Sequence, residues 1–426
     1  MEKTDIKYKS YVQILKEELV PAMGCTEPIA IAYASAKARE VLGSLPERVV
    51  VYASANIIKN VKSVVVPNTN SLKGIEAAAA AGIIAGNSEK RLEVLSTVTE
   101  KEKTIIKAYL EKNLIKVNLA NNQFIFYIEV NVYYKDSYAV VRIANHHTNI
   151  VYIEKDKKVL FEKEAEVLKE GLTDKKLLNV EDIIDFANTV AIEDVSEVIR
   201  RQIEYNSKIS EEGLKNSYGA NIGKVLLSNN DNNVKTRAKA KAAAGSDARM
   251  SGCELPVVIV SGSGNQGMTA SLPVIEYAKE LQVSEEKLYR ALVLSNLITI
   301  HQKTGIGRLS AYCGAVSAGC GSGAAIAYLH GGGYKEIAHT IVNALAIVSG
   351  IICDGAKASC AAKIAAAVDA GILGYNMYQS GQEFYGGDGI VTKGVEETIA
   401  NIGRLAKDGM GQTDKEIINI MIGEKK

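Results

Sequence analysis

The sequence lacks an excess of charge of either sign, because 50 lysines and arginines balance 49 aspartates and glutamates. Basic and acidic residues are also mixed along the chain rather than gathered in blocks. This balance indicates neither a nucleic-acid partner nor an anionic membrane surface. The polar segment at residues 1–13 lacks the apolar core of a signal peptide, so we expect a cytoplasmic protein.

Histidine is scarce, and a long uninterrupted apolar run is missing. The five histidines form no HExxH pair, so the sequence does not support a zinc hydrolase of that type. The most apolar stretch, residues 337–353, is interrupted by His339, Thr340, Asn343 and Ser349. We therefore expect a buried helix of a helical bundle there rather than a membrane span.

The pattern of elements predicts an α+β fold. With 47% hydrophobic residues among 426, the chain can bury a large core, and its length suggests two or three domains. Alternating apolar runs between residues 124 and 161 predict a meander of antiparallel strands. Alanine- and glycine-rich helical patterns fill most of the remainder. We expect residues 1–46 to join a large helical domain at 164–426, with an α+β domain inserted at 47–163.

Cysteine is present in a chain without an export signal, which argues against disulfides and for metal binding or catalysis. Cys25 lies just before a predicted helix that starts near Thr26 and has Pro28 in its first turn. The positive end of the helix dipole favours a thiolate there, which could act as base, nucleophile or metal ligand. The alternative is a small buried cysteine beside a turn.

Two cysteine pairs follow in the C-terminal half. Cys313 precedes Cys320 by about two helical turns, and Cys353 precedes Cys360 by the same spacing. Together they could supply three or four thiolates to one site, and ligation by thiolates alone favours an iron–sulfur cluster or structural zinc. The alternative is that alanine- and glycine-rich helices carry cysteine as a small apolar residue.

A glycine-rich loop at residues 261–267 lies between an apolar run and a predicted helix. Bare amides with serine, asparagine and glutamine side chains form a cradle for an anion. The loop matches GxGxxG, but no repeating βαβ pattern surrounds it, so a dinucleotide is not favoured. It also resembles the phosphate loop of pyridoxal-phosphate dehydratases, which the helical surroundings disfavour. We expect a substrate carboxylate on Ser261, Gly262, Ser263, Gly264, Asn265 and Gln266, with an ordinary tight turn as the alternative.

Further polar residues lie on predicted loops, where binding residues often occur. Taken singly, each is more often part of a solvated loop, or a helix cap, than of a site. The candidates are Lys59, Asn60, Thr69, His147 and Thr148, followed by His301, Gln302, Lys303 and Arg308.

Taken together, these residues resemble the L-cysteine desulfidase family, also known as UPF0597, which is related to the iron–sulfur L-serine dehydratases. The resemblance spans nearly the whole chain, and so many motifs in one order make it specific. The motifs are PAMGCTEP (21–28), KN (59–60), VVPNT (65–69), HHT (146–148), SGSGNQG (261–267), GRLSAYCG (307–314) and CDGAKASCAAK (353–363).

The resemblance implies a set of site residues and a cofactor. Cys313, Cys353 and Cys360 match the three ligands of a 4Fe–4S cluster, and no pyridoxal phosphate is needed. Cys25 matches a cysteine assigned as catalytic base or as a displaceable ligand of the fourth iron. Cys320 and Cys253 match no assigned role, and the spacing alone leaves the choice between Cys313 and Cys320 open.

The implied reaction is β-elimination of L-cysteine to sulfide, ammonia and pyruvate. The glycine loop would hold the substrate carboxylate, with Lys357, Lys59 or Arg308. An L-serine dehydratase with the same cluster is the nearest alternative, and a pyridoxal-phosphate lyase or a non-catalytic zinc protein is more distant. The family also implies a homo-oligomer, with a small amino acid as the substrate.

Overall fold

A computed structural model describes residues 1–23, 26–122, 124, 126–164, 173–228, 232–307 and 310–422. It confirms the α+β fold. The helices are α1 (Ile6–Glu18), α2 (Thr26–Leu42), α3 (Ala55–Val61), α4 (Gly74–Ala85), α5 (Glu100–Glu111), α6 (Val180–Thr189), α7 (Ile192–Lys215), α8 (Ile222–Ser228), α9 (Val234–Met250), α10 (Gly264–Glu280), α11 (Glu285–Ile306), α12 (Gly314–Leu329), α13 (Tyr334–Ile347), α14 (Cys360–Gln379), α15 (Val395–Arg404) and α16 (Gly411–Ile422). The strands are β1 (Pro21–Met23), β2 (Arg48–Ala53), β3 (Ile115–Leu119), β4 (Tyr127–Tyr134), β5 (Ser137–Ala144), β6 (Ile150–Lys155), β7 (Lys158–Glu162) and β8 (Pro256–Val258).

The larger sheet has the strand order β3-β2-β4-β5-β6-β7. Strands β4 to β7 pair in antiparallel fashion, which confirms the predicted meander, and β3 adds to β2 in parallel. The apolar run at 63–66 forms no strand, since Val65 makes only an isolated bridge to Lys73. The chain turns too sharply there to extend a ladder, because Asn68 and Asn70 adopt positive φ angles.

The helices and strands pack around two large apolar cores. Tyr11 and Leu15 of α1 pack with Phe186 of α6 in the helical core, together with residues of α7 and α10 to α14. Helix α2 instead packs with α4 and the larger sheet, where Ile31 joins Val130 in the second core. The domain boundaries at residues 46 and 163 remain a prediction. The packing shows that α1 and α2 bury their apolar faces in different cores.

Small residues bring two helices of the helical core into close contact. A Cβ atom at Gly371 of α14 would lie 2.2 Å from the carbonyl oxygen of Gly319 in α12. A Cβ at Gly323 would lie 2.6 Å from the carbonyl oxygen of Gly371. Only glycine permits such an approach of two backbones. The N-terminal ends of α12 and α14 carry Cys313 and Cys360, so this contact helps to set the separation of those cysteines.

The stretch at 337–353 is a buried helix as predicted, although the helix α13 ends at Ile347. No helix in the described part of the chain has both the length and the apolar character to cross a membrane.

Candidate active site

Cys313 and Cys353 lie side by side because two distant segments form a short bridge. Tyr312 pairs with Ile352 in antiparallel fashion. The N–H of Cys313 donates to the carbonyl of Ile351 over 2.8 Å, and the N–H of Cys353 donates to the carbonyl of Ala311 over 2.6 Å. Helix α12 begins directly after this bridge, at Gly314.

The two sulfurs of this pair interact directly. The thiol of Cys313 donates a hydrogen bond to Cys353, which raises the pKa of Cys313 and lowers that of Cys353. Burial opposes ionisation of Cys353, whereas the nearby Lys59 and Lys363 ammonium groups favour it. The pair therefore holds one thiolate, centred on Cys353, and titrates as a unit.

Cys360 completes a group of three cysteines. It is the first residue of α14, and its thiol donates to the carbonyl of Gly355 over 3.4 Å. Burial raises the pKa of Cys360, and the nearby Cys353 thiolate raises it further. A hydrogen bond from a backbone N–H to the Cys360 sulfur lowers it. Cys313 caps α12 and Cys360 starts α14, so both sulfurs lie at positive ends of helix dipoles, where thiolate ligands are favoured.

Cys320 and Cys253 lie outside this group. Cys320 is buried in the middle of α12, where its thiol donates to the carbonyl of Ile341 over 3.7 Å. Burial raises its pKa to about 12, so it stays a neutral thiol. Cys253 is buried near Tyr218, and burial raises its pKa too. The structure thus places Cys313, and not Cys320, beside Cys353.

Lysines surround the three cysteines. Lys59 of α3 is only 4% exposed, and its Nζ lies 2.7 Å from Oδ1 of Asp414 in α16 and 3.4 Å from the Ser310 carbonyl oxygen. Lys363 donates to the Ile352 carbonyl over 2.7 Å and forms an ion pair with Asp354. These cations lower the cost of holding negative charge on buried sulfur.

Lys357 is engaged by Asp354, whereas Lys303 is buried at the end of α11. Lys357 forms an ion pair with Asp354 and donates to the Asp354 carbonyl over 3.1 Å, so its amine is engaged within the turn before Cys360. Lys303 lies at the end of α11 and is buried, which lowers its pKa to about 8, while Cys353 and Cys313 oppose that shift. Lys303 thus faces the cysteine pair.

The glycine loop lies beside the cysteines. Ser261 and Gly262 form a tight turn with φ angles of 49° and 77°, closed by two hydrogen bonds between Val260 and Ser263. Ser263 caps α10. The side chain of Gln266 packs on Gly314, where an added Cβ would lie 2.4 Å from the amide group, and its Oε1 accepts no hydrogen bond from a described residue.

Strand pairing anchors this loop and the segment that precedes Cys25. β1 pairs with β8 in antiparallel fashion, so residues 21–23 lie beside 256–258 just before the loop. Asn206 of α7 accepts from the N–H of Val258 over 2.9 Å, which holds the strand in the helical core. A Cβ at Gly267 would lie 1.9 Å from the Val258 carbonyl oxygen, so glycine is required at this position. Cys25 itself and Arg308 lie outside the described residues.

Residues between 47 and 163 differ in how closely they approach the three cysteines. Val64 packs with Met250 and Cys360, which brings the segment after Lys59 against the cysteines. Thr69 is buried, but its hydroxyl donates to the Val66 carbonyl of its own turn over 2.7 Å. Asn60 donates to the side chain of Asn56 over 3.4 Å.

Neither His147 nor Thr148 has a described contact with the three cysteines. The His147 ring packs edge-on against Phe126, and burial lowers its pKa while the Glu27 carboxylate raises it. Its Nε2 is buried without a hydrogen-bond partner among the described residues. Thr148 accepts from the N–H of Ile150 over 3.1 Å through its carbonyl. Glu27 lies in the first turn of α2, so His147 lies within electrostatic range of the start of that helix.

Sequence reasoning missed Arg249, and it missed Asp414 as a partner of Lys59. Arg249 is buried at the end of α9, and its Nη1 lies 3.4 Å from Oδ1 of Asn265 in the glycine loop. The available signal was a single arginine at the end of a helix of small residues, AKAAAGSDARM. An arginine on a helix face of small, close-packed residues is unusual, but the sequence pattern does not show which group it contacts.

Comparisons with known proteins identify the family of this chain. Residues 89–419 match the family described as serine dehydratase alpha chain. A UPF0597 protein of Desulfitobacterium hafniense is 68% identical over all of this chain and 99% of its own length. UPF0597 proteins of Lachnoclostridium phytofermentans and Treponema denticola are 55% and 50% identical, and each match covers at least 97% of both chains. The chain belongs to the UPF0597 family, which is related to the serine dehydratase alpha chain.

Proposed function

We propose that this protein is an iron–sulfur lyase that eliminates sulfide and ammonia from L-cysteine and yields pyruvate. The observation that carries the proposal is the convergence of Cys313, Cys353 and Cys360 beside a glycine loop and several lysines. Sulfur-only donors without histidine suit an iron–sulfur cluster. Membership in a family related to serine dehydratases supports a lyase that acts on a small amino acid.

The donor set fits a cluster rather than a single ion. No group of three His, Cys, Asp or Glu residues in the described ranges converges on one ion position. A cubane needs no such convergence, because each iron binds its own thiolate. Cys313, Cys353 and Cys360 would hold such a cluster, which would supply Lewis acidity at an iron without a protein thiolate. Lys59 and Lys363 favour the anionic sulfurs that such a group requires.

The protein residues would bind the substrate and move its proton. The glycine loop offers backbone amides at the start of α10, which suit the α-carboxylate. The resemblance assigns removal of the α-proton to Cys25. In sequence, Cys25 follows β1, and β1 pairs with the strand that leads into this loop. Elimination then releases aminoacrylate, which hydrolyses to pyruvate and ammonia without pyridoxal phosphate.

L-Serine is the second candidate substrate, since the matched family is described as a serine dehydratase chain. The same residues would act, and hydroxide would leave in place of sulfide. The two substrates differ at the atom that departs from Cβ, and soft sulfur binds iron more readily than oxygen does. We therefore place L-cysteine first.

The test is an assay of anaerobically purified, iron-reconstituted protein with L-cysteine and L-serine in parallel. We expect sulfide, ammonia and pyruvate in equal amounts from L-cysteine, and a lower kcat/KM for L-serine. Faster turnover of L-serine would assign the dehydratase reaction. A protein that binds zinc, takes up no iron and releases no ammonia from either amino acid would contradict the proposal.

A further inference from the structure

A cavity of about 210 Å³ lies behind the glycine loop. Ser261 contributes from the loop, Glu18 from α1, and Lys303 and Thr304 from the end of α11. Lys175 closes another side. The cavity is partly open to solvent, and its volume suits a small polar molecule.

Two charged groups in the cavity wall have unused binding capacity. Lys303 is 7% exposed, and its amine forms no hydrogen bond or ion pair with any described residue. The Glu18 carboxylate is 7% exposed on its side chain and uses one oxygen, Oε1, for an ion pair with Lys175. Its other oxygen has no hydrogen-bond partner among the residues described. A buried charge without a partner is unfavourable, so Lys303 would gain from an anionic ligand. Glu18 keeps its ion pair with Lys175 and could accept from a ligand with its second oxygen.

The other lysines near the cysteines are already engaged. Lys59 is paired with Asp414, and Lys357 and Lys363 both pair with Asp354. Lys303 differs because it lines the cavity and also lies within electrostatic reach of Cys313 and Cys353. Lys303 therefore connects the cavity electrostatically with the proposed reaction centre.

We propose that this cavity recognises an L-α-amino acid, with Lys303 contacting the α-carboxylate and the second oxygen of Glu18 contacting the α-ammonium group. Backbone amides of the loop at Ser261 contact the same carboxylate. The proposal rests on the proposed elimination reaction, and it names the two side chains that select a substrate with both a carboxylate and an amine. It also predicts that unreactive amino acids bind.

The probe is L-alanine, which has both charged groups but no leaving group, and propionate serves as the analogue without the amine. Calorimetric titration of the anaerobic, iron-reconstituted protein should show that L-alanine binds more tightly than propionate. Lys303→Gln should weaken both ligands at least tenfold. Glu18→Gln should weaken L-alanine at least tenfold and leave propionate unchanged.

Glu276→Gln is the matched control, because Glu276 is also 7% exposed and ion-paired, with Arg237 and Lys241, but lies away from the cavity. It should bind L-alanine as the wild type does. Lys303→Arg keeps the charge and should recover part of the affinity that Lys303→Gln loses. Far-ultraviolet circular dichroism of each variant checks that the fold is retained.

The outcomes separate this inference from the proposed function. Absence of L-alanine binding to the wild type, or equal binding by the wild type and both cavity variants, would overturn the cavity assignment even if L-cysteine is turned over. Binding that depends on Glu18 and Lys303, in a protein that releases no ammonia from L-cysteine or L-serine, would support the cavity assignment and refute the lyase.

Discussion

Replacement of Gly355 by alanine should disturb the turn that connects Cys353 to Cys360. Gly355 has a φ angle of 94°, and an added Cβ would lie 1.8 Å from the carbonyl oxygen of Lys59. No side-chain rotation can relieve this overlap, because both atoms belong to or are fixed by the backbone. Either the turn or the end of α3 must move.

The expected cost has two parts. The left-handed conformation costs an L-residue about 1–2 kcal/mol. Forcing an extra carbon into a close-packed contact adds about 1–3 kcal/mol. Gly331→Ala is the matched control, since Gly331 has a φ angle of 88° and nothing within 4 Å of an added Cβ. It should show the first cost alone.

Urea unfolding of the two variants gives the difference, and iron content after anaerobic reconstitution gives the consequence for the site. We expect Gly355→Ala to lose about 2–5 kcal/mol in total and to bind less iron than Gly331→Ala. Equal stability and equal iron content in the two variants would refute the claim that the approach of this turn to Lys59 positions the cysteines.

Three other predictions concern the proton transfer, the ion pair between Lys59 and Asp414, and the larger sheet. Cys25→Ala should keep most of its iron and lose pyruvate formation, and an active variant would remove Cys25 from the reaction. Asp414→Asn should lower the free energy of unfolding by about 1–3 kcal/mol, because it leaves the buried Lys59 ammonium without its carboxylate; an unchanged urea midpoint would contradict this. Glu129→Gln should destabilise the protein at neutral pH, since hydrogen bonds, including that from Arg142, hold the pKa of Glu129 below its ordinary value of 4.5 although burial opposes them. The stabilisation is present above that value and is lost as the pH falls through the lowered pKa, so the wild type and Glu129→Gln should converge in acid.

The fold was predictable where local patterns decide it. Period-two alternation gave the meander from β4 to β7, whose inward residues Val130 and Val141 are fully buried. Strand β3 was missed because this short segment contains Lys116 and Asn118, two residue types that are depleted in strands and weaken the signal. Its place beside β2 depends on a long-range parallel pairing that no local pattern reveals.

The site was predictable in its residue types but not in its pairings. Equal spacing made Cys313 and Cys320 equivalent candidates, and only the bridge from Tyr312 to Ile352 brings Cys313 beside Cys353. Lys303 was one of several polar candidates in the sequence, but its burial and its place in a cavity with Glu18 follow from the packing of α1 against α11. Side chains that converge from distant segments leave no mark on local periodicity.

The most direct test of the central claim is the iron and acid-labile sulfide content of anaerobically reconstituted wild type and of Cys313→Ala, Cys353→Ala, Cys360→Ala and Cys320→Ala. We expect about four irons and matching sulfide per chain in the wild type and in Cys320→Ala, as a cubane requires. The other three variants should lose the cluster. Full iron content in Cys353→Ala or Cys360→Ala, or loss of iron in Cys320→Ala alone, would contradict the assignment of the three ligands.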